Sequence, residues 1–161
     1  MKIHKSLFPV ALLVVLALLA VGFYCVRQYR QDVRALADFS AAYQRLDKAI
    51  ADYSAPVLDP DFQETPASAV LAGNAADALD ELDRKASIRL SSLIKHDGEL
   101  MRTTFQIANL STRELNAVAA FRKAIAEKSP DLDRPAFLKQ LDDLTRRRQA
   151  AYAHFRELAR M

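Results

Sequence analysis

From Leu7 to Val26 the chain reads LFPVALLVVLALLAVGFYCV, twenty residues without a charge. At 1.5 Å per residue, a helix of that length spans roughly the 30 Å hydrocarbon core of a bilayer. Lys2 and Lys5 flank the near end, and Phe23, Tyr24 and Tyr29 lie at the far one, where amphipathic rings prefer the membrane interface. Pro9 falls in the first turn, where it costs a helix little. The expected result is a single transmembrane signal-anchor within residues 1–26. The competing reading is a cleaved signal peptide, with the small residues of Ala20-Val21-Gly22 at the cleavage site and a soluble periplasmic product. The anchor is preferred because Phe23 to Val26 stay apolar and merge without a break into an amphipathic helix.

Positive charges are nearly balanced across the span, with the amino group, Lys2 and Lys5 before it and Arg27, Arg30 and Arg34 after it. The short basic tail and the lack of any cysteine after Cys25 favour a bacterial inner-membrane protein with its N-terminus cytoplasmic and residues 27–161 periplasmic. Cys25 itself follows bulky Phe23 and Tyr24, so it does not fit a lipoprotein pattern.

Beyond the span, Leu36, Phe39, Tyr43, Leu46, Ile50, Tyr53 and Val57 recur at alternating steps of three and four, the spacing of one helix face. Ala35, Ala42 and Ala49 on one side and Ser40, Asp47 and Ser54 on the other occupy the flanking positions that a two-stranded zipper would fill with opposite charges. That favours an antiparallel four-helix bundle within one chain. Its helices are expected at about 27–54, 75–109, 112–128 and 134–160, with a loop at 55–74 interrupted by Pro56, Pro60 and Pro66. The break at Asn109 to Ser111 rests on Leu110-Ser111-Thr112-Arg113-Glu114-Leu115, which fits a capping box inside a hydrophobic staple. A kink near Gly98 would absorb the extra length of the second helix. No strand-like alternation appears, so the fold class is all-α.

Charge placement supplies the candidate surfaces. Asp59, Asp61, Glu64, Asp77, Asp80, Glu81 and Asp83 form a run of acids without a base, expected as an acidic crown at the end of the bundle farthest from the bilayer. Arg27, Arg30, Arg34, Arg156 and Arg160 are expected as a collar at the membrane surface, where each basic residue contributes roughly 1 kcal/mol. Asp97 and Arg148 fall in the phase of apolar stripes and are the candidate buried polar residues. Arg146, Arg147 and Arg148 point about 100° apart on a helix, so they form no flat patch for nucleic acid.

The three glycines cannot build a phosphate loop, and one cysteine excludes a multi-cysteine metal or haem site. No histidine has another at i+3 or i+4, and no Glu-x-x-His motif appears. No catalytic residue, metal or cofactor is therefore assigned.

The function expected is a non-enzymatic, membrane-anchored interaction or assembly module. It would hold the bilayer through residues 7–26 and present its acidic end to a protein partner, with self-association compatible with the same surfaces. The alternative is an extracytoplasmic ligand-sensing bundle; in architecture alone the chain resembles the four-helix sensor domains of chemoreceptors. It stops at Met161 without a second span, so a sensor of this kind would signal through a partner protein. A lysis or immunity component is a third expectation.

Overall fold

The protein is described here by a computed structural model covering residues 7–59, 62, 65–129 and 132–160, with side chains from Leu12 onward. Lys2, Lys5, Asp61 and Glu64 lie outside the described residues. Four α-helices are present, α1 (Leu7–Ser54), α2 (Pro66–Ala86), α3 (Asp97–Ala126) and α4 (Arg134–Ala159), and a 3-10 turn at Ala55–Leu58 follows α1. Among the described residues there is no strand, so the fold is all-helical.

The first helix is continuous for 48 residues. Its large apolar side chains from Leu12 to Val26 are between 51% and 72% exposed. This is the one helix among the described residues long and apolar enough to cross a membrane. Higher up, the same helix changes character. Leu36, Phe39, Tyr43, Leu46, Ile50, Tyr53 and the following Val57 are all buried. Pro56 cannot supply the amide that a longer helix needs, and α1 stops at Ser54.

The second helix begins at Pro66, nine residues before the expected start at 75, which shortens the expected loop at 55–74. Thr65 explains the difference. Its hydroxyl accepts from the Ser68 amide at 3.3 Å, while the Thr65 amide donates back to the Ser68 hydroxyl at 3.2 Å. This capping pair uses serine where the usual motif has glutamate or glutamine.

The largest correction concerns the helices expected at 75–109 and 112–128. The chain breaks at Ser87 to His96, and α3 then runs through Asn109 to Ser111 without interruption. At the break, Asp32 of α1 accepts from the Ser91 amide at 3.2 Å and also from the Ser91 hydroxyl. The backbone there is held by a side chain instead of by a helical turn, and His96 takes a left-handed conformation with φ of 63° before α3 begins. Ser111 caps nothing. Its hydroxyl donates to the Ile107 carbonyl at 2.9 Å, one turn back in the same helix, the bond a serine makes when it sits inside a helix.

The helices meet in a consistent register. Asp38 faces Lys85 and Arg45 faces Glu81 across α1 and α2. Phe39 packs on Phe155 and Tyr43 stacks on Tyr152 across α1 and α4. Across α3 and α4, Phe121 stacks on Phe137 with ring centroids 3.8 Å apart, and Glu99 meets His154 at the other end. One core therefore serves all four helices.

The fourth helix spans Arg134–Ala159, with Asp133 accepting from the Ala136 amide at 2.9 Å. Some apolar residues of α3 and α4 point outward: Phe105 is 54% exposed and Leu138 is 38% exposed. Phe105 turns out because α3 restarts at Asp97, so its inward phase is not inherited from α2.

Candidate functional site

Three polar groupings distinguish this molecule from a purely apolar bundle: an ionic network inside the core, an acidic flank, and a basic base.

The interior network centres on Arg148, which is 2% exposed. Its Nε donates to Glu114 Oε2 at 2.6 Å, and its Nη1 lies 2.7 Å from Asp47 and 3.0 Å from the Tyr43 hydroxyl. Thr145 donates to the other Glu114 oxygen at 2.6 Å. Burial alone would pull the Arg148 pKa down, but the hydrogen bond and the charge of Glu114 outweigh it and hold the guanidinium charged. Burial is also the main reason that the Tyr43 phenol is pushed up to about 12, with the Arg148 charge opposing. Tyr43 stacks on Tyr152 at 3.7 Å, and the Tyr152 hydroxyl lies 2.6 Å from Ser40. Each polar group here is occupied by another, so the network locks α1, α3 and α4 in register.

Arg148 was expected inside from its stripe phase; Glu114 was assigned to a helix cap and its place beside Arg148 was missed. The available signal was its spacing. Leu100, Thr104, Ile107, Ser111, Glu114, Val118 and Phe121 follow steps of four and three and are all buried. Three polar members concealed that stripe. Asp97, the other candidate buried polar residue, is half-buried at the first turn of α3, where its carboxylate accepts from the Gly98 amide at 2.7 Å. It is a helix-start residue and not part of the interior.

The acidic residues do not gather into one crown. Asp59 sits after the 3-10 turn, whereas Asp77, Asp80, Glu81 and Asp83 lie along α2, where Glu81 pairs with Arg45 at 3.0 Å on the middle of α1. They occupy a flank of the body, because α2 runs back along α1 and carries its acids with it. Asp77, Asp80 and Asp83 line one shallow hollow together with Arg84. The Asp83 carboxyl is raised above its ordinary value, first by partial burial and then by the neighbouring Asp80 charge.

Of the basic residues, the fold brings Arg156 and Arg160 to the lower part of α1. The last turn of α4 packs beside α1 so that Arg156 and Arg160 join Tyr29, Val33, Leu36 and Phe155 around a groove of about 430 Å³. Arg27, Arg30 and Arg34 line a second hollow just below, with Phe23 and Val26. A third shares Arg160 with the first and is lined by Lys95, His96, His154, Glu157, Leu158 and Arg160. Among the described residues no group of histidine, cysteine or carboxylate side chains has the arrangement to hold a metal ion.

No protein-family model, curated protein or solved structure matches the chain.

Proposed function

We propose that the chain is a single-pass inner-membrane protein whose α1 crosses the bilayer at residues 7–26 and continues into an antiparallel four-helix bundle on the periplasmic side. The body acts as a non-enzymatic interaction or assembly module. The observation that carries this reading is the continuity of α1, which is apolar and exposed from Leu12 to Val26 and buried along one stripe from Leu36 to Tyr53. A helix built in this way ties the orientation of the body to the membrane. No flexible linker separates the two.

The docking surface in this reading is the flank of α2 carrying Asp77, Asp80 and Asp83, and the partner is a protein with a basic patch. Like charges held close and partly desolvated cost the free protein stability, and a basic partner would reverse that cost. The ligand-sensing alternative has less to rest on. The polar groups that would line its pocket are engaged with one another: Arg148 with Glu114 and Asp47, and Thr104 with the Ala86 carbonyl at 3.1 Å.

A photo-crosslinking residue at Asn74, on α2 beside the flank, and another at Lys139, on α4, test the proposal in cells. One protein should crosslink from position 74, not from 139, and should be lost when Asp77, Asp80 and Asp83 are changed to Asn. Equal capture from both positions, or capture that survives the neutral flank, would remove the flank as the docking surface. Protease accessibility of the body in spheroplasts tests the orientation separately.

A further inference from the structure

The groove beside Arg156 and Arg160 has the shape, charge and height of a site for one lipid molecule. Its floor is apolar, made by Leu36, Ile94 and Phe155, which are buried. Its open side is formed by Tyr29 and Val33, which remain 41% and 43% exposed. Arg156 comes from the last turn of α4 and Arg160 is its C-cap, and the lining includes no acid. A volume of about 430 Å³ lies within the range of roughly 300–1,000 Å³ typical of small-molecule sites.

Several arginines higher on the body are paired. Higher on α4, Arg146, Arg147 and Arg148 pair with Asp142, Asp143 and Glu114, and on α1 Arg45 pairs with Glu81. At the base, Arg27, Arg30, Arg34, Arg156 and Arg160 make no ion pair among the described residues. Lys48, Arg89, Arg102 and Arg113 make none either, so it is the absence of an acid from the groove lining that leaves Arg156 and Arg160 uncompensated there. Tyr29 is three residues beyond Val26, about 4.5 Å along the helix. The headgroup layer on each face of a bilayer is roughly 5–7.5 Å deep. The lower end of the groove therefore opens into that layer.

We propose that this groove holds an anionic phospholipid from the surrounding leaflet, with its phosphate on Arg156 and Arg160 and its acyl chains descending past Tyr29 into the bilayer. The proposal rests on the membrane-anchor reading above. A bound lipid would bridge α1 and the end of α4, so the body would stand at a defined height and rotation on the bilayer. Arginine suits this role because its planar fork meets a phosphate through two parallel hydrogen bonds.

The test reconstitutes the full-length protein into nanodiscs of phosphatidylcholine with a minor fraction of phosphatidylglycerol and counts retained lipids by native mass spectrometry. Phosphatidylglycerol should be retained at about one per chain, in excess over its bulk fraction. Each arginine at an anionic surface contributes about a factor of five, so Arg156→Gln with Arg160→Gln should reduce that excess roughly 20- to 30-fold. Arg146→Gln with Arg147→Gln removes the same charge higher on α4 and should leave the excess unchanged. Ala159→Phe, which fills the groove without altering charge, should also abolish retention.

An excess that survives the Arg156/Arg160 variant overturns the proposal, as does an equal loss in the Arg146/Arg147 control. Displacement by inorganic phosphate would mean a free-anion site and would also overturn it. So would recovery of a lipid-free dimer closed over the groove. Failure of the chain to enter nanodiscs at all would instead remove the anchor reading on which the proposal stands.

Discussion

Replacing Arg148 by Met keeps a long unbranched side chain but removes the cation from the centre of the body. Glu114, 1% exposed, would lose its 2.6 Å partner and keep only Thr145. Breaking a buried pair by deleting one partner typically costs about 3–5 kcal/mol, because the charge left behind is desolvated and uncompensated. Against a total stability of about 5–15 kcal/mol for a body of this size, that is a large fraction. Taking roughly 3–5 °C per kcal/mol, the melting temperature should fall by about 10–20 °C. Glu114→Leu should cost less, since Arg148 would retain Asp47 at 2.7 Å, and Asp47 is open enough to water to remain solvated. The double variant should return to within about 2 kcal/mol of the parent, because no uncompensated charge remains in the core. The assay is thermal unfolding of the full-length protein in detergent, followed by circular dichroism at a helix wavelength for all four members of the cycle. A single Arg148→Met variant melting within about 2 °C of the parent would refute the buried-pair account. Strict additivity in the double variant would refute it equally.

Asp32→Ala removes the acceptor that holds Ser91, a loss of about 1–3 kcal/mol. Amide exchange should accelerate first at residues 87–96, and uniform acceleration across α3 and α4 would contradict a local role for Asp32. Thr65→Ala deletes the cap of α2 and should cost about 1 kcal/mol, read as a drop of a few degrees in melting temperature. Asp83 is raised in the folded state, so the stability linked to its neutral form is present below its unfolded value and lost as pH rises through the folded value. Asp83→Asn should therefore raise the melting temperature at pH 7 and leave it unchanged near pH 3. A stabilisation that persists at pH 3 would disprove the electrostatic cause.

Where apolar residues alone mark the buried face, the sequence pattern and the structure agree. The α1 stripe from Leu36 to Val57 is an example, and all seven of its residues are buried. The pattern misleads where polar residues lie on that face. Thr104, Ser111 and Glu114 look like solvent-facing or capping residues, yet each is at most 1% exposed. Their partners come from other helices or from the preceding turn. Asp32 belongs to the same class: it continues the α1 stripe one turn below Leu36 and is 3% exposed. Its partner, Ser91, is 59 residues away. The break at Ser87 to His96 was hidden for the opposite reason. Leu90, Leu93 and Ile94 keep helical spacing through it, although Leu93 is 46% exposed and Ile94 is buried at the base of the core. The groove at Arg156 was equally hidden, since Arg156 joins Tyr29 only when α4 is laid along α1.

The sequence by itself determined that the fold is all-helical, that its first helix carries a membrane-length apolar run, and that α1 buries one face beyond that run. These follow from local spacing, charge and proline placement, which act within a few turns of helix. Only the tertiary structure decided where the second helix ends and the third begins, which acids are shielded and which arginines lack partners. A buried polar group is tolerated only when a distant residue satisfies it, and no local pattern records which distant residue that is.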